Sequence, residues 1–83
     1  MISTDTIRQR LLDKVHQRGM DKTICPSEVA RALDNEQWRD LMDAIRAVGQ
    51  TLAAEGKIVV TQRGQVVNPN TAKGPIRYRW TGN

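Results

Sequence analysis

The sequence predicts an α+β domain, three helices followed by a small antiparallel sheet, and three patterns carry that prediction. Apolar residues recur at steps of three and four from Ile7 to Val15 and again from Trp38 to Leu52, the period of a helix with one buried face. Between those runs, Pro26 and the pair Asp34-Asn35 bracket a short helical segment, so Ile24 to Glu55 reads as short helix, tight turn and long helix. After Gly56 the period falls to two, as strands require.

A chain of 83 residues is one domain, here 1–83 with an ordered core over about 4–80. So short a chain leaves roughly 40% of its unfolded surface exposed after folding. With two Trp, one Tyr and no Phe, aliphatic side chains must supply most of the burial. No stretch has the roughly 18 apolar residues of a membrane span, and MISTDTIRQR lacks the basic-then-apolar order of a secretory signal, so a cytoplasmic protein is expected. Cys25 has no second cysteine, and with His16 the only other soft ligand no metal or cofactor is expected.

Helix one is expected from the capping residues Ser3, Thr4 and Asp5 to Gly19, with Ile7, Leu11, Leu12 and Val15 inward and His16 partly buried beside them. Thr23 and Ile24 suit a short first strand between Lys22 and Cys25. Pro26 fits the first position of helix two, because its missing N–H has no partner there anyway, and Cys25 becomes the N-cap. Val29, Ala30 and Leu33 form its inward stripe, and Ala32 is expected to let a neighbour approach. Asp34 and Gln37 have capping-box spacing for helix three. That helix is expected to run for roughly twenty residues, about 30 Å, with Trp38 anchoring the core end of its apolar face. Gly49 within it costs on the order of 1 kcal/mol relative to Ala, which implies a close packing contact.

IVVTQ, from Ile58, is a strand by composition. In IRYRW, from Ile76, the apolar residues Ile76, Tyr78 and Trp80 face one side and Arg77 and Arg79 the other. These two strands are expected to pair, joined by the loop RGQVVNPNTAKGP with a mobile tip. A competing register closes a tight hairpin at Arg63-Gly64 and pairs Val59 and Val60 with Val66 and Val67. It ranks second, because it leaves IRYRW without a partner. A short third segment at Gln65 to Val67 fits either register.

This order is that of a winged helix-turn-helix, the loop being the wing. CPSEVARAL from Cys25, WRDLMDAIR from Trp38, IVVTQRGQVV from Ile58 and KGPIRYRW from Lys73 resemble the small bacterial family known as domain of unknown function 3253, over nearly the whole chain. The resemblance implies a winged-helix fold and brings no activity, catalytic residue or ligand with it.

Charge points toward a partner. Net charge is +4, and from Lys57 onward there are five Lys/Arg and no Asp or Glu, against eight and nine before it. Such a segment is an electrostatic footprint for phosphates or for an acidic protein surface. The leading expectation is therefore nucleic-acid (DNA) binding led by the basic C-terminal wing hairpin. Arg63, Lys73, Arg77 and Arg79 would make its contacts, joined by Arg39 and Arg46 from helix three. The outward positions of that helix, Glu36, Arg39, Asp40, Asp43, Arg46 and Gln50, carry two positive and three negative charges, and Arg39 with Asp43 has ion-pair spacing. The alternative is a protein–protein interaction module using that mixed-charge helix face or the basic strand face. No Gly-rich phosphate loop, paired catalytic carboxylates or nucleophile with a base is present, so an enzyme is not expected. Oligomeric state is not assigned by the sequence.

Overall fold

The protein is described by a computed structural model over residues 2–82 and has the α+β architecture its periodicities predict. Helix α1 (Thr4–Arg18) begins at Ser3, whose hydroxyl accepts the Thr6 N–H at 3.1 Å, and buries Ile7, Leu11 and Val15. Each such aliphatic side chain contributes about 1.5–3 kcal/mol when fully buried. Helix α2 (Pro26–Leu33) starts with Pro26 at its first position and Cys25 as N-cap. The Glu28 carboxylate reaches back to the Cys25 N–H at 2.7 Å, one half of a capping box. Val29 and Ala30 are buried and Leu33 is partly so, whereas Ala32 is exposed and admits no neighbour, contrary to expectation.

The Asp34 carboxylate accepts the N–H groups of Glu36 and Gln37, both at 3.1 Å, and turns the chain. The helical segment beyond that turn is shorter and less regular than the expected twenty-residue helix. Trp38–Leu41 is a 3₁₀ turn, and α3 proper runs from Met42 to Ala54. Ile45, Val48, Gly49 and Leu52 are buried along it. Trp38 is only partly buried and packs at the rim of the core instead of anchoring it. His16, expected to be partly buried, is exposed and rests its ring on Trp80, centroids 4.4 Å apart.

The sheet forms both hairpins, but the tight one at Arg63-Gly64 is one residue out of the expected register, with Val66 opposite Thr61 and Gln65 opposite Gln62. Strand β1 (Ile58–Gln62) lies between β2 (Gln65–Val66) and β3 (Arg77–Trp80), all antiparallel, in the order β2-β1-β3. Thr61 pairs with Val66 on one edge and with Arg77 on the other, and Val60 pairs with Tyr78. A central strand has two hydrogen-bonding edges, so the two pairings do not exclude each other. Arg63 and Gly64 close the β1–β2 hairpin with φ of 54° and 82°, the two positive values a type I′ turn requires. The short first strand is a single bridge, in which Ile24 and Tyr78 exchange N–H···O bonds of 2.8 Å in both directions. Helix, bridge, two helices and a three-stranded sheet with a wing-like return is an order compatible with a winged helix-turn-helix. Among the described residues no helix is long and apolar enough to cross a membrane.

Tyr78 is the largest fully buried side chain, 1% exposed, and its ring packs directly on α3 at Gly49. A Cβ at Gly49 would fall 2.5 Å from the Tyr78 hydroxyl oxygen and 2.7 Å from Cζ, closer than side-chain atoms approach. That is the packing contact the mid-helix glycine implied. Among the described residues the tyrosine hydroxyl has no hydrogen-bond partner.

This packing makes two measurable differences to stability. Gly49→Ala gains about 1 kcal/mol of helix propensity but overpacks the core at about 1–3 kcal/mol, so urea denaturation should show no gain and a net loss of up to about 2 kcal/mol. Burial pushes the Tyr78 hydroxyl up from 10.0 to about 12, against an opposing effect of the Arg46 charge. The unfolded chain then releases that proton first, so the contribution is intact below pH 10 and is lost as pH rises toward 12. The loss is about 2–3 kcal/mol and should be absent in Tyr78→Phe, which removes an unpaired hydroxyl and should be no less stable at neutral pH.

Candidate basic cleft on the wing

Three of the six cations expected to make contacts converge. Arg63 at the hairpin tip, Lys73 on the return loop and Arg77 at the start of β3 line a cleft of about 620 Å³, together with Cys25, Gln62, Gly74, Pro75 and Ile76. Among the described residues no carboxylate belongs to that lining. The loop is tied to the body of the domain at several points. Gln62 donates from its amide nitrogen to the carbonyls of Lys73 (2.6 Å) and Pro75 (3.1 Å), Arg46 to that of Gly74 (2.7 Å), and Gln50 to that of Pro69 (3.2 Å). Asn68 closes a turn within the loop by accepting the Asn70 N–H. The cations are therefore presented by a braced wing.

The cations differ in what they are free to do. The side chains of Arg63, Lys73 and Arg79 make no hydrogen bond or ion pair among the described residues. Arg77 was expected to be equally free, and it is not. It donates from Nε to the Thr23 hydroxyl (2.5 Å), from Nη1 to the Cys25 sulfur (2.8 Å) and from Nη2 to the Thr23 carbonyl (3.3 Å). Arg18 joins the same turn, with Nη1 on the Thr23 carbonyl and Nη2 on Glu28 at 2.6 Å. Burial alone would raise the Glu28 carboxyl, but the Cys25 N–H and the charges of Arg18 and Arg77 outweigh it and hold it below its ordinary value. Arg77 is thus one wall of the cleft and also a tie between β3 and the N-terminus of α2. The sequence pattern placed it on the correct face and could not reveal the tie, because Thr23 and Cys25 are more than fifty positions away.

Arg79, Arg46 and Arg39 lie elsewhere. Arg79, half-buried, borders a separate groove with Met20, Asp21, Val59, Trp80 and Thr81. Arg46 stands behind the wing and braces it. Arg39 does not pair with Asp43. Its guanidinium carbon sits 4.5 Å from the centroid of the Trp38 ring, and that of Arg31 sits at the same distance. Each stacking contact is worth about 0.5–1 kcal/mol at an exposed site.

The 3₁₀ turn explains the lost ion pair. Counting about 120° per residue through the turn and about 100° beyond it, Asp43 is about 100° around the axis from Arg39, whereas Arg46 is within about 40° of it. Asp40 and Asp43 share one side of the helix, and Arg39 shares another with Arg46. Arg31 and Gln62 were not singled out by sequence reasoning. Only the packing of α2 on the 3₁₀ turn, and of the return loop on β1, brings them into play.

Residues 4–81 match the family described as Protein of unknown function (DUF3253). No curated protein matches the chain.

The division of labour among the arginines can be measured. Arg77→Ala removes three hydrogen bonds and should lower the unfolding free energy in urea by about 1–2 kcal/mol. Arg79→Ala, on the same face of the strand, should change it by no more than about 0.5 kcal/mol.

Proposed function

We propose that this chain, which belongs to the DUF3253 family of proteins of unknown function, is a binding domain for nucleic acid, DNA in the first instance, acting in the cytoplasm through its wing and not as an enzyme. The observation that carries the reading is the convergence of Arg63, Lys73 and Arg77 on one cleft with no carboxylate in its lining. Phosphate oxygens need fixed cationic donors and no competing anions, and a braced wing supplies both.

Arg63 adds a second argument. It occupies the left-handed region at φ 54°, which costs a non-glycine side chain about 1–2 kcal/mol. Asn or Gly would close the same turn with less strain, so holding a long cation at the tip favours a functional reading. Arg79 extends the cationic surface along β3. Arg39 and Arg46 belong to the flank of α3 that meets the wing, while Asp40 and Asp43 are turned about 100–120° from Arg39, which eases their repulsion of a bound strand. Those same two carboxylates favour the second reading, a protein partner seated on the outer side of α3.

Labelled duplex and single-stranded oligonucleotides titrated at several salt concentrations test the proposal. Up to four phosphate contacts on duplex should give a slope of log K against log salt of about −3 to −4, and Arg63→Ala and Lys73→Ala should each remove about one unit. Bound oligonucleotide should also slow labelling of Cys25, which lines the cleft, by a thiol reagent. No binding at low salt would exclude the reading.

A further inference from the structure

The wing is not the only place where cations are held ready. Arg31, from the last turn of α2, and Arg39, from the 3₁₀ turn, are both exposed, and each stacks on Trp38. Asp34, Glu36, Asp40 and Asp43 all lie within a few residues of them in sequence. Yet among the described residues neither arginine makes an ion pair or a hydrogen bond to any of them. The Asp34 carboxylate is committed to the turn, and the 3₁₀ geometry directs Asp40 and Asp43 to another side of the helix.

Two guanidinium groups held over an indole, with no hydrogen bond of their own among the described residues, keep their donors open while losing the freedom of their long side chains. That preorganisation is what recognition of an oxyanion by a planar fork requires. Both guanidinium carbons lie 4.5 Å from one ring centroid, so they are separated by no more than twice that distance. That bound keeps both cations near enough to act on one stretch of anionic backbone. Arg39 also lies within about 40° of Arg46 around the helix and about 12 Å from it along the axis. Since Arg46 holds the Gly74 carbonyl, the stacked pair is on the side of α3 that leads to the wing.

We infer that Arg31, Trp38 and Arg39 form a second phosphate-contact site at the helix-turn-helix junction, binding the nucleic-acid backbone alongside the wing. The inference rests on the nucleic-acid reading for the source of the phosphates, and on the stack itself for the site.

Arginine Nε–Hε resonances of the ¹⁵N-labelled full chain, assigned with Arg31→Lys and Arg39→Lys, provide the test. They would be monitored while adding duplex or single-stranded oligonucleotide and, separately, inorganic tripolyphosphate. The expected result is that Arg31 and Arg39 shift together with oligonucleotide, and that each Ala variant weakens binding several-fold and reduces the salt slope by about one unit. The double Lys variant keeps the charge but not the planar stack, and should retain the slope while losing about threefold or more in affinity. If the wing cations respond and the Trp38 pair does not, the site is overturned and the nucleic-acid reading stands. If oligonucleotide fails to bind but tripolyphosphate moves the pair, the site stands as a phosphate clamp and the nucleic-acid reading falls. Silence in both titrations overturns both.

Discussion

The close contact between Tyr78 and Gly49 is the constraint around which this domain is assembled. The chain has no phenylalanine, and its single tyrosine is its largest fully buried side chain. Its backbone pairs with Ile24 on one edge of β3, its strand pairs with β1 on the other, and its ring fills the space that a side chain on α3 would occupy. One residue therefore joins the bridge between the first two helices, the central strand and the long helix. The unpaired hydroxyl is the cost of using tyrosine for this purpose, because the ring is driven so far into the core that no acceptor reaches its oxygen.

A second set of contacts decides which cations are available. The turn at Thr23–Cys25 is held by Arg18 and Arg77 from opposite sides, with Glu28 bonded both to the Cys25 N–H and to Arg18. The return loop is held by Gln50, Arg46 and Gln62. These bonds cross between elements that the hydrophobic core alone would leave to slide. They also sort the cations into braces and free ends: Arg46 and Arg77 are bound to the protein, while the side chains of Arg63 and Lys73 line the cleft unpaired. The cleft is thus a consequence of how the wing is braced.

The same sorting revises the view of helix three. Its outward positions carry slightly more negative than positive charge, which argues against contact with phosphates. Distributed around the axis, those charges separate. The 3₁₀ turn ahead of Met42 shifts the phase, setting Asp40 and Asp43 on one side and Arg39 with Arg46 on the side that meets the wing. A surface that is mixed in composition becomes one with an anionic ridge and a cationic flank. A strand approaching along the flank and the wing would meet mostly arginine and lysine.

Local pattern alone located the main elements. The three-and-four spacing of Ile7 to Val15, Pro26 behind Cys25, the glycine inside an apolar helical run, and the alternation in IRYRW each reflect forces acting within a few residues, and each lies in an element of the expected type, although the third helix is shorter than its pattern and opens with a 3₁₀ turn. Local pattern also put Arg63, Lys73 and Arg77 on a carboxylate-free segment. Tertiary structure decided everything that depends on distant partners. It made β1 a two-edged central strand, because only the assembled sheet satisfies both of its hydrogen-bonding edges. It left Trp38 half-buried at the rim of the core in contact with two arginines, because the 3₁₀ turn changes the direction of the helix face. It tied Arg77 to a turn some fifty residues away and left Arg63 free, a difference between identical side chains that no spacing along the chain can encode.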